Sequence, residues 1–133
     1  MFTSEEEALA SVDRAVAEAR AHAIRAQALS VDLDALRVTG QSRDGAAEVT
    51  LSHTGAVTDV YFGRRLENAG LDQLRTAFLQ ANAAAQSQLA ARVTELSGRA
   101  FGDDSATTRE LAARYRQMFP PAEGGSDHPG VLR

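Results

Sequence analysis

Residues 36–62 read LRVTGQSRDGAAEVTLSHTGAVTDVYF, and the alternation inside this stretch decides the fold. Val49 and Leu51 fall on one face of an extended chain, while Glu48, Thr50 and Ser52 fall on the other, because successive strand side chains point to opposite sides. Val60 and Phe62 repeat the pattern against Asp59 and Tyr61. Upstream, Leu36 to Ser42 contains β-branched Val38 and Thr39 and reads as a first strand. Arg43-Asp44-Gly45 and Thr54-Gly55 separate the runs, each with a Gly able to take a positive φ. The result is a three-stranded antiparallel meander with one apolar face, which needs a further layer to cover it.

Helical periodicity surrounds the meander. Ser4 with Glu7 is a capping-box pattern, and Glu5 and Glu6 suit the positive end of a helix dipole. Leu9, Val12, Val16, Ala19, Ala23 and Ala26 then recur at steps of three and four, predicting a long first helix that ends before Leu36. Leu71, Leu74, Phe78, Ala81, Ala85, Leu89, Val93 and Leu96 form a broader stripe on a second long helix, stopped at Ser97-Gly98. A short third helix, capped by Asp104 or Ser105, carries Leu111, Tyr115, Met118 and Phe119 and ends at Pro120-Pro121. Residues 120–133 are expected to form a flexible tail. The expected class is therefore α+β: long helix, antiparallel meander, long helix, short helix. Leu9, Val12, Val16, Val49, Leu51, Val60, Phe62, Leu74, Phe78 and Leu89 are the candidate core and dimer-contact residues.

Composition limits what this fold can do. The chain has 133 residues, with 14 basic against 18 acidic and a net charge of -4, and every basic residue is Arg. Ala supplies 26 of the apolar residues, leaving few large side chains and a thin core for a monomer. Pairing with a second copy is the physical remedy. Zero Cys excludes a disulfide framework and a thiolate metal site and fits a reducing compartment. No apolar run is long enough to cross a membrane, and the acidic N-terminus lacks the pattern of a secretory signal, so a cytoplasmic location is expected.

Little in the sequence suggests catalysis. His22, His53 and His128 stand at no metal-ligand spacing, and phosphate-loop and nucleophile-elbow motifs are missing. Asp32, Asp34, Asp103 and Asp104 lie near helix boundaries and read as caps. No enzymatic activity, cofactor or metal is expected. Arginines group locally at Arg37 and Arg43, at Arg64-Arg65, and at Arg109, Arg114 and Arg116, but no segment is strongly basic.

The stretch Leu36-Arg37-Val38-Thr39-Gly40-Gln41-Ser42, followed by Gly45, Glu48-Val49-Thr50-Leu51 and Ala56-Val57-Thr58-Asp59-Val60, resembles the YbaB/EbfC family of small bacterial nucleoid-associated proteins. The order of elements and Ala81-Asn82-Ala83 on the second helix carry the likeness through roughly residues 5–100. A domain over 1–100 is expected on that basis, with a helix appended over 101–119. The resemblance implies an intertwined homodimer with helical arms that binds DNA weakly and with little sequence preference. Carried onto this chain, its DNA-contact residues are Arg14, Arg20, Arg25, Arg75, Arg92 and Arg99. The chain departs from the family pattern at Gln86 and Ser87, at Arg64-Arg65, and in its net negative first helix. Those departures leave a second reading: a protein-interaction or accessory module, associated with type VII secretion, that does not bind DNA.

Overall fold

A computed structural model describes residues 3–120. The chain runs α1 (Ser4–Ala35), β1 (Arg37–Gln41), β2 (Ala47–Ser52), β3 (Val57–Phe62), a 3-10 turn (Arg64–Leu66), α2 (Leu71–Phe101) and α3 (Ala106–Met118). This is the α+β order that the periodicities indicate. The flexible tail expected over 120–133 falls, except for Pro120, outside the described residues.

Two helix boundaries differ from those expected, the start of α1 and the end of α2, while α1 ends before Leu36 and Ser105 caps α3 as the sequence indicates. The cap of α1 is Thr3, not Ser4: its hydroxyl accepts from the Glu6 amide, and the Glu6 carboxylate accepts from the Thr3 amide. Asp32 and Asp34 cap nothing, since both lie inside the last turn of α1. Asp103 and Asp104 precede α3, whose cap is Ser105, accepting from the Thr108 amide at 3.0 Å. Ser97-Gly98 does not stop α2. Ser97 is buried and its hydroxyl meets that of Thr108 at 3.1 Å, so its competition with the helix backbone is satisfied from α3. The helix ends instead at Gly102, whose φ of 97° favours glycine.

The sheet is a β1-β2-β3 meander, antiparallel throughout. Val38 stands opposite Leu51, Gly40 opposite Val49, and Val49 opposite Val60. Val38, Ala47, Val49 and Leu51 are buried beneath α2, which contributes Ala77, Ala81, Ala85, Leu89 and Val93 to the same core. Thr39 and Thr50 share a hydrogen bond on the outer face, where Gln41 also donates to Glu48. At the first turn Asp44 Oδ1 accepts from the Ser42 hydroxyl and the Ala46 amide, which holds its carboxyl below the ordinary 3.8.

α3 folds back along α2 and closes the hairpin end of the sheet. Its Leu111 and Phe119 are partly buried against the core, whereas Met118, expected inward, faces solvent. The buried Tyr115 donates its hydroxyl proton to the His53 carbonyl oxygen at 2.8 Å, and burial pushes the phenol above its usual 10.0. A phenol favoured in its neutral form stabilises the fold fully below pH 10, and that contribution fades as pH rises through the elevated value. Tyr115→Phe is expected to cost about 1 kcal/mol near neutral pH. The variant should also lose less stability on going to alkaline pH than the wild type, as denaturant midpoints across a pH series would show.

The most consequential difference from the sequence reading lies in what is left open. On α1 only Leu29 is buried; Leu9 is 65%, Val12 57% and Val16 44% exposed, so these three are no part of the single chain's core. Every residue of β3 is exposed, including Val60 and Phe62. Leu71, the first residue of the expected α2 stripe, is also exposed, while Leu74 and Phe78 are half-buried.

Candidate nucleic-acid interface

Three arginines distant in sequence come together in one cleft. Arg37 opens β1, while Arg92 and Arg99 lie two turns apart on α2. With Asp32, Ala35, Leu36 and Leu96 they line a shallow depression of about 420 Å³ between the C-terminal turn of α1 and the second half of α2. Arg37 is placed by the end of α1, where Nη1 donates to the carbonyl oxygens of Asp34 at 3.2 Å and Leu36 at 2.7 Å. No basic residue sits within the last turn of α1 itself. The adjoining Arg37 fills that role for its orphan carbonyls.

Arg92 and Arg99 share a counter-ion. Glu95 Oε1 lies 3.1 Å from Arg92 Nε, and Glu95 Oε2 lies 3.1 Å from Arg99 Nη2. All three side chains are about half-exposed or more, so the contacts are water-screened and individually weak. A guanidinium carries five N–H donors, so each retains donors for an incoming oxyanion.

The remaining candidate arginines do not join this cleft. Arg14 and Arg20 stand on the exposed part of α1, among the acids of the net negative helix. Arg25 lies over the Phe101 ring at 5.9 Å from its centroid, and Arg75 is exposed near the start of α2. Arg37 was visible in the sequence only as a charge beside a strand. Its proximity to α2 depends on the antiparallel register and on the path of α1, which no local pattern reports.

Two of the histidines line another cavity. His22, Leu29, Asp34, His53 and Phe101 help line a cavity of about 310 Å³, in which the His22 and Phe101 ring centroids are 4.9 Å apart. His53 Nε2 is 3.8 Å from Asp34 Oδ1, too long for a hydrogen bond, and its Nδ1 is without a protein partner. Among the described residues no group of three or more His, Cys, Asp or Glu could hold a metal ion. Nor is any helix there long and apolar enough to cross a membrane.

The architecture defines a class: a small α+β protein in which tertiary structure gathers three arginines, with an apolar arm and an edge strand left uncovered. The model of the YbaB/EbfC DNA-binding family matches residues 8–103, and the chain belongs to that family, a family of DNA-binding nucleoid-associated proteins. The match ends just beyond α2, so α3 lies outside it. No curated protein matches the chain.

Proposed function

We propose that this protein is a non-enzymatic, homodimeric, nucleoid-associated DNA-binding protein that works in the cytoplasm. It grips the duplex weakly and without strong sequence preference, through arginine–phosphate contacts. The observation carrying this reading is the convergence of Arg37, Arg92 and Arg99 on one cleft of an otherwise acidic chain. Phosphate contacts fix position without reading sequence, and arginine is the side chain best shaped to make them. Arg14, Arg20, Arg25 and Arg75 would contribute to the long-range field rather than to this grip.

Two apolar surfaces left bare in the single chain support the homodimer. Phe62 and Val60 stand opposite Ala47 and Val49, so they continue the face that α2 covers, yet α2 lies across β1 and β2 and leaves β3 bare. The stripe of Leu9, Val12 and Val16 is equally bare. α1 enters the sheet through Leu36 at the β1 edge, the edge remote from β3. A second copy lets each arm cover the other's ledge, with a two-fold axis making the exchange reciprocal.

Arg92→Gln with Arg99→Gln tests the DNA reading. The double variant should bind duplex DNA at least about tenfold more weakly at 50 mM salt, and its plot of log affinity against log salt should flatten by about two units for each cleft that engages the duplex. If the wild type forms no complex with DNA at low salt and tens of micromolar dimer, the reading is wrong. The second reading then gains ground: an accessory module whose acid-flanked α1 stripe takes a protein partner. A stoichiometric partner retained after nuclease treatment would support it.

A further inference from the structure

We infer that Glu95 is a built-in competitor for phosphate, limiting how tightly the arginine cleft can hold a nucleic-acid backbone. The inference rests on the proposal that the cleft takes phosphate, and it concerns how that site is regulated. Glu95 lies on α2 three residues after Arg92 and four before Arg99, the two spacings that place helical side chains on a common face. Its carboxylate is divided between them, one oxygen to each guanidinium at 3.1 Å. Two oxygens held apart in this way occupy the same kind of donor that a phosphodiester's two free oxygens would use.

The donors used are informative. Arg92 offers Glu95 its Nε, one half of the edge through which a guanidinium makes a bidentate contact with an oxyanion. For Arg92 to clasp a phosphate by that edge, Glu95 must leave. Arg37, the third cation, already gives Nη1 to two carbonyl oxygens. Charge points the same way. The three arginines of the cleft are offset by the cleft-lining Asp32 and by Glu95, which pairs with two of them, so the local balance is only one positive charge, and removing Glu95 doubles it. In a chain with a net charge of -4, that difference decides how strongly the cleft can attract a polyanion.

Glu95 is a competitor and not a lock because it is half-exposed: a screened carboxylate gives way to a phosphate whose counter-ions are released on binding. Weak binding then follows from the site itself, and reversible coverage of many DNA positions becomes possible without specific contacts.

Glu95→Gln keeps the side chain's size and removes the charge. Binding of a short fluorescent duplex by the full chain should tighten about three- to tenfold at low salt, and the salt plot should steepen by about one unit for each cleft that engages the duplex. Placed on top of Arg92→Gln and Arg99→Gln, the same change should give no comparable gain. If Glu95→Gln binds as the wild type does, or more weakly, while the arginine pair variant is impaired, Glu95 orients the arginines instead and the inference fails with the cleft reading intact. If the gain persists without the two arginines, it is a general charge effect and the inference is again wrong. If neither the arginine pair variant nor Glu95→Gln alters binding, the cleft itself is the wrong site. Circular dichroism and thermal melts of each variant separate these results from loss of fold.

Discussion

Gly40→Ala should destabilise the protein more than any other single methyl addition in the sheet. A Cβ on Gly40 would meet the backbone of α2, with Ala81 O at 2.5 Å, the Ala84 carbonyl carbon at 2.7 Å and Ala85 N closer still. Backbone atoms in the middle of a long helix cannot rotate away, so β1 and α2 must separate. That separation would open the seam where Val38, Val49 and Leu51 meet Ala81, Ala85 and Leu89. Overpacking of a well-filled core costs about 1–3 kcal/mol, and rigid backbone neighbours put this site at or beyond the upper end of that range. For a domain whose total stability is about 5–15 kcal/mol, such a loss lowers the denaturant midpoint sharply or prevents folding. Gly70→Ala is the control: nothing lies within 4 Å of a Cβ there and its φ is -74°, so the midpoint should fall only by the poorer N-cap preference of Ala at the start of α2, at most about 1 kcal/mol. Equal behaviour of the two variants would show that the close approach at Gly40 does not hold the fold together.

The Gly40 contact also explains which parts of the molecule could be read from the sequence. Period-two alternation in Ala47–Ser52 and the Gly-bearing turns report strand and turn directly, and the sheet forms with the register they favour. Alanine-rich spacing on α2 reports a helix face, and the small residues at Ala81 and Ala85 are what let Gly40 come so close. Helix ends were less legible because a Ser-Gly pair is read as a stop until its tertiary partners are known. Ser97 bonds to Thr108 in the first turn of α3, and the side chain of Asp103, in the turn before it, packs against Gly98. The cleft was the least legible feature. Arg92 and Arg99 share a helix face and could be paired from spacing alone, but Arg37 reaches them only through the fold. Periodicity on α1 had a different weakness: it marks an apolar stripe without saying which surface, or whose, will cover it.

Those uncovered surfaces lead to the expectation with the largest effect on the proposed assembly: if the chain pairs as proposed, Val60→Asp should convert a dimer of twice 14.1 kDa into a folded monomer. In the protomer Val60 is 37% exposed on an edge strand, so an Asp there keeps its carboxylate in water and costs little beyond a poorer strand propensity, about 1 kcal/mol at most. At an interface the same change acts twice, once in each subunit, and buries an unpaired charge among apolar side chains, a penalty of about 3–5 kcal/mol per site. The two effects differ enough to be separated in one sample. Circular dichroism should remain close to the wild type while sedimentation shows the mass halving. Val16→Glu, on the α1 stripe, should dissociate the dimer in the same way, since in a reciprocal exchange each surface is the other's cover. Tyr61→Asp tests the assignment of faces. Its side chain points to the outer side of the sheet, away from the ledge of Val60 and Phe62, and should leave the mass unchanged. A wild-type chain that sediments as a stable 14.1 kDa species at micromolar concentration would remove the basis for all three expectations. Loss of the dimer should also weaken DNA binding even with every arginine in place, because two clefts on one rigid body bind with an effective concentration that two separate monomers lack.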